Sequence, residues 1–179
     1  MGILVRYQVK AGGWRANVEL PWELDLDRAA VGGVALRDPA TLLWKLGPGE
    51  DPAAAAAAGR YCYFTRGAEA EVAHQRLRQW RIYWHDPAGH FSPFAGPCRF
   101  RGGPIDLHGG LPETALAALL GPPVWRDETA AQVRLFYAHH ATDWEVLLSP
   151  AHGLQQITLS AQPLYARTEA GQAPPAQPT

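Results

Sequence analysis

The chain reads LRDPATLLWKLGP at residues 36–48 and GLPETALAALLGP at residues 110–122. Each segment carries an apolar stretch with helical spacing and then ends in Leu-Gly-Pro. Glycine can adopt the left-handed backbone that closes a helix, and proline cannot continue one. Both segments therefore predict a short helix that stops at the glycine. In the first segment we expect Asp38 to cap the amides at the helix start, with Pro39 at the first helical position.

The similarity between the two segments extends into the sequence that follows them. The two Leu-Gly-Pro motifs lie 74 residues apart, and the same spacing brings Tyr63 onto Tyr137 and Glu71 onto Glu145. After a small gap the spacing becomes 77 residues. A unit repeated in this way is typical of a duplicated architecture. The last segments to align are residues 77–82 and 154–159.

Apolar and polar residues alternate through much of the remaining chain, and a period of two predicts half-buried strands. We therefore expect an α+β protein of two tandem units, each a short helix packed on a small antiparallel sheet. Joining the two sheets edge to edge would hide unpaired strand edges. Asp51, Pro52 and Gly59 frame an alanine run that predicts a short helical or flexible insertion. The predicted strands cover approximately residues 3–10, 14–20, 60–66, 69–75, 77–85, 96–101, 104–107, 132–139, 143–148 and 154–161.

The repeat also predicts how the chain divides. Residues 1–90 would form the first unit, which begins with an N-terminal hairpin, and residues 91–165 the second. Residues 166–179 are mainly alanine, glycine, glutamine, proline and threonine. Such a segment lacks the apolar groups needed to offset the entropy of ordering, so we expect a disordered tail.

The composition narrows the class of protein and of partner. Of 179 residues 47% are hydrophobic, and the net charge is −1. This balance favours a folded core and gives no basic field for nucleic acid or for an anionic membrane surface. The sequence has neither an apolar run of about 20 residues nor a secretion signal, so a cytoplasmic protein is expected. Cys62 and Cys98 form no CxxC motif; we expect small buried thiols, although the sequence leaves a disulfide open.

Histidines are the residues that would carry catalysis or bind a metal. His139 and His140, with Asp143 and Glu145, could supply metal ligands or an acid–base pair, but neighbouring residues on a strand point to opposite faces. The two histidines and the aspartate of the 85–90 loop could hold zinc only with ligands from elsewhere. No Gly-x-Ser-x-Gly elbow or phosphate-binding loop is present. We therefore predict no cofactor and favour a protein that is not an enzyme, with a small hydrolase or metal-dependent enzyme as the alternative.

The order of helix, Leu-Gly-Pro stop and three strands ending in Leu-x-x-Ile-x-Leu resembles the repeat of the beta-lactamase inhibitory proteins. It is also similar to the small outer-membrane assembly lipoproteins that share that fold. A further likeness is to bacterial proteins that pair Leu-Gly-Pro with a later Phe-x-Gly, which is Phe94-Ala95-Gly96 here. The resemblance covers roughly residues 34–160 and implies a scaffold that binds other proteins.

On that expectation the chain is an inhibitor or immunity-type protein that neutralises a partner, for example a basic toxin or enzyme, by occlusion. An assembly or scaffold subunit is a further alternative. The repeat register turns Val72 and Val146 toward the helices and a recurring acidic pair to the outer sheet face. A face of this charge suits a basic protein partner. The predicted partner-binding residues are Glu69, Glu71, Arg81, Tyr83, Asp143 and Glu145.

Overall fold

The structure of the chain is a computed structural model that describes residues 20–164. The predicted N-terminal hairpin and the predicted disordered tail fall outside the described residues. The division of the chain at residue 90 stays a prediction.

Within residues 20–164 the chain forms three helices and twelve strands. The helices are a 3₁₀ helix at Ala40–Leu46, α1 at Pro52–Ala58 and α2 at Glu113–Leu120, and a further single 3₁₀ turn lies at Phe64–Arg66. The strands are β1 Leu24–Asp25, β2 Ala30–Val31, β3 Val34–Ala35, β4 Arg60–Tyr63, β5 Ala68–Ala73, β6 Arg76–Tyr83, β7 Cys98–Phe100, β8 Gly103–Ile105, β9 Trp125–Glu128, β10 Val133–His139, β11 Thr142–Ser149 and β12 Gly153–Ser160.

The strands form two sheets, so the protein is a mixed helix and sheet fold with more strand than helix. One sheet has the order β3-β2-β1-β7-β8, and the other has the order β4-β5-β6-β12-β11-β10-β9. The pairings are antiparallel apart from β1 with β7. An α+β fold with antiparallel sheet is the class that the sequence predicts.

The seven-stranded sheet joins two three-stranded meanders through one pair of strands. β4, β5 and β6 follow one another in the chain, as do β10, β11 and β12, and β6 pairs with β12. Trp80 lies opposite Leu159, and Ile82 lies opposite Ile157. All four side chains are fully buried, so this seam is part of the hydrophobic core. Edge-to-edge joining was expected, because it removes two unpaired edges.

The two helices before Leu-Gly-Pro end in almost the same way. Gly47 has φ 91° and ψ 179°, and Gly121 has φ 90° and ψ −177°. The predicted glycine stop is therefore right, but the predicted left-handed cap is wrong, because this region of backbone space is extended and essentially restricted to glycine. Asp38 does not cap a helix as predicted; its carboxylate accepts a hydrogen bond from the amide of Ala35 at 2.9 Å instead.

Each of the three helices has a side that is buried against the rest of the protein. Leu46 and Leu120, the residues before the two stop glycines, are both buried, as the repeat predicts. In α1 the Asp51 carboxylate caps the helix start and Gly59 is left-handed at its end, so the predicted short helix forms. Ala55 is the buried residue of α1, which places this helix at the surface.

Candidate functional site

The six predicted partner-binding residues lie on one face of the seven-stranded sheet. Glu69, Arg81, Thr158 and Glu145 are consecutive partners across β5, β6, β12 and β11. Residues directly opposite one another in paired strands share a face, so these side chains form one row. The next row is Glu71, Gln79, Ser160 and Asp143, and Tyr83 lies opposite Gln156 in the row on the other side.

Arg81 organises the half of this face that belongs to β5 and β6. Its guanidinium forms an ion pair with Glu69, and the second nitrogen lies 3.5 Å from Glu71 and 2.9 Å from the Gln79 amide oxygen. Glu69 is only 4% exposed and also accepts a contact from the Cys62 thiol at 3.7 Å. Arg81 therefore pairs with both carboxylates of the first acidic pair, of which Glu69 is buried and Glu71 remains partly exposed.

The acidic residues of β11 differ from each other in their surroundings. Asp143 is 2% exposed, and its carboxylate accepts a hydrogen bond from the amide of Leu164 at 3.1 Å. Glu145 is half-buried, with Arg134 at 3.8 Å. Burial raises the pKa of the Glu145 carboxyl, and the charges of Arg134 and Arg81 oppose that shift. The stripe that the sequence predicts is thus exposed mainly at Glu71 and Glu145, because Glu69 and Asp143 are buried.

Tyr83 belongs to an aromatic cluster at one end of this face. Its ring stacks on Phe91 with centroids 4.1 Å apart and planes at 15°, and Phe91 also contacts Phe64 at 4.9 Å. Burial raises the pKa of Tyr83 to about 12. The tyrosine therefore presents a fixed, neutral ring beside the charged row. The sequence gives no sign that Phe91, in a loop, supports it.

The histidines are arranged differently from the predicted constellation. The rings of His139 and His140 lie 4.2 Å apart because His140 has a positive φ of 53° in the turn after β10. The carboxylate nearest to His139 in an ion-pair geometry is Asp27, with 3.9 Å between Nε2 and Oδ1, and not Asp143 or Glu145. Across residues 20–164 the structure has no group of three or more His, Cys, Asp or Glu residues that could hold a metal ion.

The 85–90 loop is held by its aspartate. The Asp86 carboxylate accepts hydrogen bonds from the amides of Ala88, His90 and Phe91 at 2.7–3.1 Å, which closes the loop on itself. His85 stacks on His152 with ring centroids 4.3 Å apart. This pairing of a loop histidine with one from the β11–β12 turn is not visible in the sequence.

A cavity on the opposite side of the sheet was missed by the sequence reasoning. It has a volume of about 230 Å³ and lies between the inner face of β10 and β11, the end of α2 and the β7–β8 hairpin. Its polar lining includes Tyr137, His139 and Arg101. The sequence marks two of these residues, His139 as a candidate ligand or base and Tyr137 as the repeat counterpart of Tyr63, but it does not bring them together at a cavity.

The two cysteines lie on strands of different sheets. Cys62 is on β4 and Cys98 on β7, both are buried, and within the described part of the chain both are free thiols. Burial raises the pKa of Cys62 to about 11 and that of Cys98 to about 12. Small buried or half-buried thiols are what the sequence leads us to expect, and both are buried.

Comparison of the chain with protein-family models, with curated proteins and with solved structures finds no match. The resemblance to the beta-lactamase inhibitory proteins therefore stays a prediction that rests on its short motifs. Among the helices described in residues 20–164, none is both long and apolar enough to span a membrane. The cytoplasmic location stays a prediction as well.

Proposed function

We propose that this chain binds another protein through the outer face of the seven-stranded sheet and acts as an inhibitor or immunity-type protein by occlusion. The observation that carries the proposal is the cross-strand row Glu69, Arg81, Thr158 and Glu145. It brings charged residues from both halves of the repeat into one cross-strand row, of which Arg81 and Glu145 are partly exposed. A paired sheet is rigid, so little conformational entropy is lost when it docks.

The geometry supports separate roles for the exposed and buried members of the set. Glu71, Glu145, Arg81 and Tyr83 retain partial exposure and are the residues that would contact the partner. Glu69 is buried against Arg81 and would fix the direction of the guanidinium. Arginine and tyrosine are enriched among residues that dominate binding energy at interfaces, whereas peripheral carboxylates act mainly on the association rate.

The proposal includes two tandem units, and the seam between β6 and β12 supports it. The 77-residue spacing makes Trp80 equivalent to Ile157 and Ile82 equivalent to Leu159. The observed pairs are Trp80 with Leu159 and Ile82 with Ile157. If each residue is replaced by its equivalent in the other unit, each of these pairs becomes the other. This is the pattern of a contact with two-fold symmetry. Its centre is Arg81, in the middle of the proposed binding face.

The matching backbone at the two stop glycines agrees with the duplication. Gly47 and Gly121 are 74 residues apart and differ by a few degrees in φ and ψ. Their conformation is rare, because it is open essentially to glycine alone. Each glycine precedes a proline, which favours an extended ψ, so the shared feature that supports the duplication is the positive φ at both helix ends.

The test is affinity capture from a bacterial extract, with the full chain as bait and quantitative mass spectrometry as readout. The test bait carries Glu71→Lys and Glu145→Lys together. The matched control carries Asp106→Lys and Glu128→Lys, which change the net charge equally at two exposed positions outside the proposed face. Circular dichroism first establishes that both variants are folded.

We expect the test bait to lose a protein that the wild-type chain and the control bait retain. Tyr83→Ala should lose the same protein, chiefly through faster dissociation. Association of the purified partner should slow as salt is raised, because exposed charges are screened beyond a Debye length of about 8 Å at physiological ionic strength. Equal retention by the wild-type, test and control baits would contradict the proposed face, and equal loss from both variants would point to net charge alone.

A further inference from the structure

The cavity of about 230 Å³ on the inner side of the seven-stranded sheet has an aromatic and apolar wall. Phe100 and Trp144 contact each other there, with ring centroids 5.5 Å apart. Leu120 and Pro122 line the side formed by the end of α2. The cavity lies on the side of the sheet away from Glu145, since Trp144 and Glu145 are neighbours on β11 and point to opposite faces.

Two polar atoms at this cavity are buried without a partner. The hydroxyl of Tyr137 and Nε2 of His139 have no hydrogen-bond partner among residues 20–164. The two residues are two positions apart on β10, so both side chains point to the same face, and both line the cavity. Asp27 lies 3.9 Å from His139 Nε2, which is too long for a hydrogen bond. Leaving such groups unpaired is costly, and native proteins do so rarely.

The first half of the chain provides an internal comparison. Tyr63, 74 residues before Tyr137, donates its hydroxyl to the carbonyl of Gly47 at 3.5 Å and packs edge-on against Trp22 at 4.9 Å. Gly121, the counterpart of Gly47, lines the cavity beside Tyr137. The same tyrosine position is thus satisfied by the protein itself in one half of the chain and left for an outside partner in the other.

The charges around the cavity select against strongly ionic ligands. The Arg101 guanidinium lies over the Phe100 ring at 5.0 Å. The Asp27 carboxylate carries the opposite charge close by, where it accepts hydrogen bonds from the backbone amides of Arg101 and Gly102 at 2.9 and 2.8 Å. Burial lowers the pKa of His139, so its imidazole is neutral at pH 7. The Tyr137 hydroxyl is neutral as well, since burial raises its pKa to about 12.

We propose that this cavity binds a small neutral aromatic molecule with one hydroxyl or ring N–H group. The ring lies against Phe100 and Trp144, and the polar group bonds to the Tyr137 hydroxyl and to His139 Nε2 after both side chains turn toward it, because neither atom is solvent-accessible in the present arrangement. A cavity of about 150 Å³ with an apolar lining accommodates benzene, so this one has room for a ring and one polar substituent. It is below the roughly 300–1,000 Å³ of sites for drug-sized ligands, which excludes a nucleotide.

The experiment uses phenol as the probe and toluene as its matched control, because the two share size and ring and differ in the hydroxyl. Each is titrated into the full chain and followed by the tryptophan indole signals in two-dimensional NMR. Tyr137→Phe removes one hydroxyl at the cavity. Tyr63→Phe removes the equivalent hydroxyl where the protein already pairs it. Thermal melting first shows that both variants fold, and Tyr137→Phe should not melt lower than wild type because the hydroxyl it removes is unpaired.

We expect phenol to bind more tightly than toluene, with the Trp144 signal shifted. Tyr137→Phe should weaken phenol binding roughly 2- to 10-fold, the range for one neutral hydrogen bond, and leave toluene binding unchanged. Tyr63→Phe should leave both affinities within about 2-fold of wild type. No binding of phenol at millimolar concentration, equal affinities for phenol and toluene, or equal effects of the two tyrosine variants would each overturn the proposal.

Discussion

Replacing Gly96 by alanine should destabilise the protein strongly, because the backbone of another segment occupies the space of the missing side chain. A Cβ atom added at Gly96 would lie 1.8 Å from the carbonyl oxygen of Trp22 and 2.6 Å from the ring of Phe94. The Trp22 carbonyl belongs to the main chain and cannot rotate away as a side chain could. The glycine of the Phe-x-Gly motif is therefore required by a close approach between two segments.

The loss of stability follows from the distance by which the two segments must separate. Ordinary contact begins at about 3.4 Å, so the two segments must separate by about 1.6 Å. The amide of Leu24, two residues after Trp22, donates to the carbonyl of Pro97 at 2.9 Å and holds β1 against β7. Overpacking costs roughly 1–3 kcal/mol and a strained backbone hydrogen bond about 1 kcal/mol. We expect a loss near 3 kcal/mol, or roughly 6–12 °C in Tm for a chain of this size.

Urea denaturation followed by tryptophan fluorescence measures this loss, with Gly103→Ala as the control. A Cβ atom at Gly103 would meet its nearest neighbour, the carbonyl oxygen of Phe100, at 4.0 Å. The control should stay within about 1 kcal/mol of wild type, the usual cost or gain of such a change. If Gly96→Ala were as stable as Gly103→Ala, the packing of β1 on the segment before β7 would be wrong.

Three further results are expected. Burial raises the pKa of Glu145, so ionising this carboxyl is less favourable in the folded protein than in the unfolded chain. The charge therefore lowers stability above pH 4.5, the ordinary pKa of the group, and Glu145→Gln should raise Tm at pH 7 but not at pH 4. Burial lowers the pKa of His139, so as pH falls the imidazole is protonated more readily in the unfolded chain than in the folded protein. Stability should therefore fall as pH drops below 6.5, and it should fall less in His139→Phe. Cys62 and Cys98, with pKa values raised to about 11 and about 12, should react slowly with a thiol reagent at pH 8 until urea unfolds the chain.

The parts of the fold that the sequence predicts are those set by local pattern. The two helix stops need only glycine and proline in order, and the two meanders need only alternation over four to eight residues per strand. Trp80 and Ile82 could be assigned to the core because every second residue of β6 faces the same side. Even the joining of the sheets follows from the general cost of unpaired edges.

In the five-stranded sheet, β7 and β8 overlap the predicted strands at 96–101 and 104–107, but the assembly of the sheet could not be predicted, because its first three strands have two residues each. A segment that short carries no periodicity. It is extended because its amides bond to a distant segment, as Leu24 does to Pro97 and Leu26 to Arg99. β9 was missed for a related reason: its sequence, Trp-Arg-Asp-Glu, reads as polar, and its pairing with β10 comes from the fold.

The candidate sites show the same division between local pattern and distant contact. Alternation placed Glu69 on the outer face correctly, but its burial depends on Arg81 from the neighbouring strand. The carboxylate nearest to His139 is that of Asp27, more than a hundred residues earlier in the chain. No spacing rule connects such residues. The repeat comes closest to revealing the cavity, since it marks Tyr137 as equivalent to Tyr63.

The two proposals concern opposite faces of the same strands, and this makes them separable by experiment. β11 contributes Glu145 to the outer face and Trp144 to the cavity, and β10 contributes Tyr137 to the cavity, opposite Trp144. Because a paired sheet transmits little displacement from a substitution that leaves its backbone intact, Tyr137→Phe should not alter capture of a protein partner. The reversal of Glu71 and Glu145 should likewise leave phenol binding unchanged. Loss of both functions in either variant would instead mean that the sheet itself has two arrangements, and that the inner ligand and the outer partner each favour one of them.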